Sequence, residues 1–173
     1  MTRGRVRNGI DLDALETLGH GSNGAPELSV RTEWIGGAQV EATISRAADR
    51  AASGRTFVVH VDESPSCSGN GTGPAPAELA AVALSAAFTQ AFVFDASRDN
   101  VVIDALAVRI HERPAGTAHA TPRRWHIECI VESQVSIGQL RAYARAAAGS
   151  ERVRSLALRA PSVRVLGKER EMT

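Results

Sequence analysis

The sequence is poor in aromatics, cysteine and lysine, and each shortage excludes something. Aromatic residues make up only 4% of the 173 positions, so a core must be assembled from Ala, Val, Leu and Ile, whose small side chains allow close backbone approach. The two cysteines, Cys67 and Cys129, lie too far apart in the chain to form a framework of staples, and free thiols are expected. Nineteen arginines and one lysine are scattered, and the formal charge of +1 supplies no field for nucleic acid. No run is seen to approach the roughly 20 apolar residues that span a bilayer. The basic start MTRGRVRNG is followed by no apolar stretch and so does not read as a secretory signal. No phosphate loop, GxSxG elbow or dinucleotide fingerprint is present. The expectation is a cytoplasmic protein with no cofactor, no bound metal, and neither nucleic acid nor membrane as partner.

What is present is a chain 43% hydrophobic, long enough to bury roughly 70% of its unfolded surface in one core. DLDALETL, residues 11–18, carries leucines at helical spacing and predicts a helix in an N-terminal arm covering residues 1–26. Residues 27–173 read as a single domain. LSVRTEW and AQVEATIS alternate around a glycine turn and predict a hairpin; TFVVHVDE adds a third strand, with His60 interrupting its inward valine face. After the polar loop ESPSCSGNGTGPAP, Pro76 suits a first helical turn and Glu78 favours the positive end of the helix dipole. Residues 77–96 show no polar stripe wide enough to face water, so this helix is expected to be buried nearly all round. VVIDALAVRIHE and RRWHIECIVES predict an antiparallel hairpin across the loop RPAGTAHATP. Ser136 and Gln139 form a capping-box pattern ahead of a second helix that stops at Gly149. A helical turn near ERVRSLAL and a strand SVRVLG complete a βββ-α-ββ-α-β order, an α+β fold.

With those pieces in order, the chain resembles the OsmC and Ohr group of thiol-dependent hydroperoxide reductases. The resemblance covers nearly the whole chain and rests on NGIDLDALETL, on TEWIGG at the first hairpin, and above all on VDESPSCSGNGTGPAPAEL running into the apolar helix LAAVALSAAF. It implies antiparallel sheets around a long buried central helix, in an intertwined homodimer with active sites near the subunit interface. Members of the group carry a peroxidatic cysteine in the central helix, where the register places Ala87. A resolving cysteine belongs in the later helix, where the register places Ala148 or a close neighbour. An arginine follows the glycine turn in the Ohr branch; this chain reads GlyGlyAlaGln. The group's chemistry needs a thiolate to attack the peroxide and a second thiol to resolve the sulfenic acid, and a methyl group does neither.

The remaining candidates each carry a functional and a structural reading. Glu78 is an acid or base, or the carboxylate of a helix start. His60, beside Asp62 and Glu63, is an acid or base, or a hydrogen-bonded histidine at a strand end. Cys67 is a relocated nucleophile or an incidental loop thiol, and Cys129 shares the core face of its strand with Ile127 and Val131. Ser85, Ala87, Phe88 and Ala148 are candidate pocket-lining positions; Ser85 with Thr89 also fits back-bonding within a helix, and Phe88, Phe92 and Phe94 fit a core. His111, His119 and His126 match no metal-ligand spacing. Three functional classes follow: non-redox binding or conversion of a hydrophobic small molecule at a dimer-interface pocket, as in a specialised biosynthesis; a thiol-dependent organic hydroperoxide reductase working through Cys67; or a non-catalytic binding or assembly protein.

Overall fold

The computed structural model describes residues 6–11, 28–47, 53–113, 124–157 and 161–168. It divides into two compact units, Gly19–Ala80 and Met1–Leu18 with Ala81–Thr173. The predicted helix of residues 11–18 lies almost wholly outside the described residues, as do the connection 114–123, with His119, and most of the charged tail.

The first unit is a three-stranded antiparallel sheet in the order β3 (Leu28–Gly36), β4 (Gln39–Arg46), β5 (Arg55–Val61). Its register sets Val30 beside Ile44 and Phe57, and Trp34 beside Val40 and Val61. One residue along, Glu33, Glu41 and His60 form a row on the opposite face. One face is predominantly apolar and the other predominantly polar, with Val58 on the face of His60 as an exception. His60 therefore interrupts nothing; it belongs to the polar face, one step out of phase with Phe57, Val59 and Val61. The apolar face is open along much of its length, with Leu28, Val30, Trp34 and Phe57 all more than half exposed.

The helix α1 spans Pro76–Arg98. In the second unit it packs beside β6 (Ile103–Arg113), β7 (Arg124–Ser133), α2 (Ile137–Gly149), α3 (Glu151–Leu156) and β8 (Ser162–Lys168). Strand β8 pairs parallel with β7, which corrects the expectation of purely antiparallel sheets. A parallel pair needs a long crossover, and α2 with α3 provides it. The core joins Leu84, Phe88 and Phe92 of α1 to Ile127, Cys129 and Val131 of β7 and to Leu140, Tyr143 and Ala147 of α2. Phe92 meets Tyr143 edge to face with ring centroids 5.9 Å apart, and each buried phenylalanine contributes about 2 kcal/mol by removal from water. The Tyr143 hydroxyl donates to Asp99 at 2.8 Å; burial, followed by that carboxylate, raises its pKa. The α2 start is as expected, with Ser136 Oγ accepting from the Gln139 amide at 3.3 Å.

Two further expectations are revised. Within the chain α1 is buried along one stripe, Leu84, Ala87, Phe88, Ala91, Phe92, Ala96 and Ser97, whereas Val82 is 65% exposed; uniform alanine composition hid the face that packing selects. At 23 residues α1 is also long and apolar enough, by length and composition alone, to cross a membrane, because Ser, Thr and Gln break the run without removing its mean apolar character. Finally, β1 (Val6–Arg7) and β2 (Ile10–Asp11) form a small hairpin absent from the sequence reading. Its turn, Asn8 and Gly9, holds both residues at positive φ, 50° and 75°, the conformation for which an Asn-Gly pair is favoured. Asn8 then donates to Ser97 Oγ at 3.0 Å and to the Val101 carbonyl at 2.9 Å, and accepts from the Ile103 amide at 2.9 Å.

Candidate functional site

The chemistry-bearing residues of the first unit gather where β5 runs into the loop 62–75. Asp62, only 2% exposed, organises that loop. Its Oδ2 accepts from the Asn70 amide at 3.0 Å, the Thr72 amide at 3.1 Å and the Thr72 hydroxyl at 2.9 Å, while Oδ1 accepts from the Glu63 amide at 2.9 Å. Gln39 Nε2 donates to Thr72 Oγ1 at 2.9 Å and reaches Asp62 at 3.4 Å. The loop also folds on its own backbone: the Gly71 amide donates to Glu63 O, and the Cys67 and Gly69 amides both donate to Ser64 O. Gly69 lies so close to Glu63 that a Cβ there would overlap the Glu63 carbonyl.

These donors, the Thr72 amide foremost, hold the Asp62 carboxyl down to about 2 against the opposing effect of burial. A carboxyl depressed on folding adds stability above its unfolded value of 3.8, and that stability is lost as pH falls through the folded value. The loop is therefore expected to loosen between about pH 4 and about pH 2. Hydrogen exchange of the Asn70 and Thr72 amides will show it, and Asp62→Asn will weaken their protection already at neutral pH and flatten its dependence on acid.

Beside this clamp lies an open cleft of about 320 Å³ lined by Ile35, Gln39, His60, Val61 and Thr72. His60 Nδ1 stands 3.8 Å from Glu41 Oε2 across the strand pair, so the carboxylate can orient the imidazole and pair with it when protonated. Of the candidates named from sequence, His60 alone lines this cleft. Glu78 caps α1: its Oε2 accepts from the Ala75 amide at 2.8 Å, half of a capping box, as the structural reading has it. Cys67 ends the 3₁₀ turn Pro65–Cys67, exposed, with Ser66 Oγ 3.9 Å from its sulfur. Cys129 is fully buried, and desolvation pushes its thiol up to about 11, an unreactive neutral group at ordinary pH.

Ala87 and Phe88 are buried in the core of the second unit, and Ala148 packs against it. Thr89 back-bonds to the Ser85 carbonyl at 2.9 Å. His111 and His126 face one another across β6 and β7 with rings 6.4 Å apart, and His126 Nδ1 shares a 2.8 Å hydrogen bond with Ser162 Oγ. Among the described residues no three His, Cys, Asp or Glu side chains stand together as a metal cage. The residues missed from sequence are Gln39, Asp62 and Thr72 as a unit. Their signal was a strand ending in Asp before a loop of Ser, Gly, Asn and Thr, a composition that offers backbone amides to a carboxylate.

The arrangement of two three-stranded sheets and a long helix matches solved structures at low sequence identity. An OsmC-like protein from Mycoplasma pneumoniae superposes with a TM-score of 0.57 at 11% identity, covering 85% of this chain and 98% of that one. The chain has the OsmC-like fold. An organic hydroperoxide resistance protein OsmC from Legionella pneumophila gives 0.57 at 9% identity, with 85% and 100% covered. An OsmC-like protein of unknown function from Vibrio cholerae gives 0.54 at 12%, with 83% and 100% covered. No family model matches the sequence, and no curated protein does. The OsmC-like fold is thus reached by a sequence far from those of its structural neighbours.

Proposed function

We propose that this protein uses the OsmC-like fold for non-redox recognition of a small hydrophobic molecule, with His60 and Glu41 available as an acid/base pair. One observation carries the reading. The cleft that collects His60, Gln39 and Thr72 against the apolar walls of Ile35 and Val61 contains neither thiol of the chain. Of those thiols, one is buried with its pKa raised and the other ends a surface turn. The register of the resemblance, which sets Ala87 and Ala148 where a thiol peroxidase needs its two cysteines, supports the same conclusion. The chain would act in the cytoplasm as a homodimer. The open apolar face of the β3-β4-β5 sheet supports the dimer, since an uncovered face of this kind marks an association surface, and a second copy of the same chain would cover it.

The test is an NMR titration with 2-phenyl-2-propanol, an apolar alcohol that cannot act as oxidant. Shift changes at Ile35, His60, Val61 and Thr72 that vanish in Val61→Glu are expected; changes confined to other residues would contradict the assignment.

A further inference from the structure

A second cleft, of about 420 Å³, lies within the unit that contains α2 and β8. Its rim is cationic: Arg141 and Arg145 project from α2 one turn apart, and Arg164 from β8. The rest of its lining is apolar, Ala144, Val163, Val165 and Leu166, of which Ala144 and Val165 are buried. Three guanidinium groups elsewhere stand against acids, Arg31 with Glu33, Arg98 with Asp95 and Arg109 with Glu128. None of the three rim arginines pairs with a carboxylate among the described residues, and the cleft lining contains no acid. Like charges at i,i+4 on a helix repel, and Arg164 adds a third positive charge to the same opening. Such an arrangement costs stability while empty of a counter-charge, and an anion placed between the arginines removes that cost.

We infer that this cleft is a binding site for an organic anion with an apolar body, the carboxylate seated among Arg141, Arg145 and Arg164 and the hydrocarbon lying on Ala144, Val165 and Leu166. The rim suits a carboxylate because guanidinium presents a planar fork of donors to it. The volume falls within the range of small-ligand clefts. This site shares no residue with the His60 cleft and stands whether or not that cleft binds anything.

The experiment is calorimetric titration of the intact protein with octanoate, octanol and inorganic phosphate, at low and high salt, for the native chain and for the triple variant Arg141→Gln, Arg145→Gln, Arg164→Gln. All three side chains are exposed, so the variant should fold, which its circular dichroism checks. The native protein is expected to bind octanoate about ten-fold or more tightly than octanol and to weaken with salt; the variant should lose that preference. Equal affinity for octanol and octanoate, or an unchanged affinity in the variant, would overturn the site. Phosphate binding as tightly as octanoate would overturn the apolar half. Amides of residues 163–166 that are protected by a second copy of the chain, fading on dilution and indifferent to octanoate, would also overturn it.

Discussion

Gly69→Ala is expected to unfold the 62–75 loop while leaving the other unit folded. A Cβ at this position has to occupy the space of the Glu63 carbonyl, and the obstacle is backbone held at both ends. On one side Glu63 receives the Gly71 amide and donates its own amide to Asp62. On the other, Gly69 itself donates to Ser64 O at 3.0 Å. Neither partner can retreat without breaking the Asp62 clamp, so the strain should reach about 3 kcal/mol, the upper end of overpacking costs. Protection of the Asn70 and Thr72 amides should fall sharply, and protease should cut within residues 63–73, whereas the amides of β6 and β7 keep their exchange rates. The neighbouring Ser68→Ala serves as control, since its side chain is exposed.

Phe57→Glu is expected to turn the proposed dimer into monomer. Phe57 lies on the edge strand β5 of the open apolar face, beside Ile44, which separates it from Val30, and is 56% exposed in the single chain. If a second copy covers that face, a carboxylate in place of Phe57 is buried without a partner. Aromatic anchors of an interface are worth about 2 kcal/mol or more, roughly thirty-fold in dissociation constant. Analytical ultracentrifugation should give a two-chain mass for the native protein and a one-chain mass for the variant at micromolar concentration. Thr56→Glu, one residue away on the polar face, should leave the mass unchanged. A native protein that sediments as one chain would remove the dimer from the account.

Much of the fold was legible in the sequence because its signals are local. Strand alternation in residues 28–61, proline and glutamate at the start of α1, and the Ser136 cap each act within a few residues. The stripe of α1 that packs was not legible, since Leu, Val, Phe and Ala surround the helix and tertiary contact alone decides between Val82 and Leu84. The parallel placement of β8 was hidden for a similar reason: seven residues of strand pattern carry no direction. The small hairpin of residues 6–11 carries a local signal, Asn8-Gly9, but its strands of two residues are too short to show alternation. In the site, His60 was visible as a lone imidazole on a strand. Its cleft was not, because Gln39 and Thr72 reach it through Asp62, and a carboxylate satisfied by backbone amides leaves no mark on spacing.

The proposed function has an OsmC-like fold operating without thiol chemistry. Turnover of cumene hydroperoxide with a dithiol reductant, by the native protein and by Cys67→Ala, measures it most directly. The prediction is no turnover above the uncatalysed reductant rate for either protein. Native turnover that disappears in Cys67→Ala would contradict the claim and establish the surface thiol as the nucleophile.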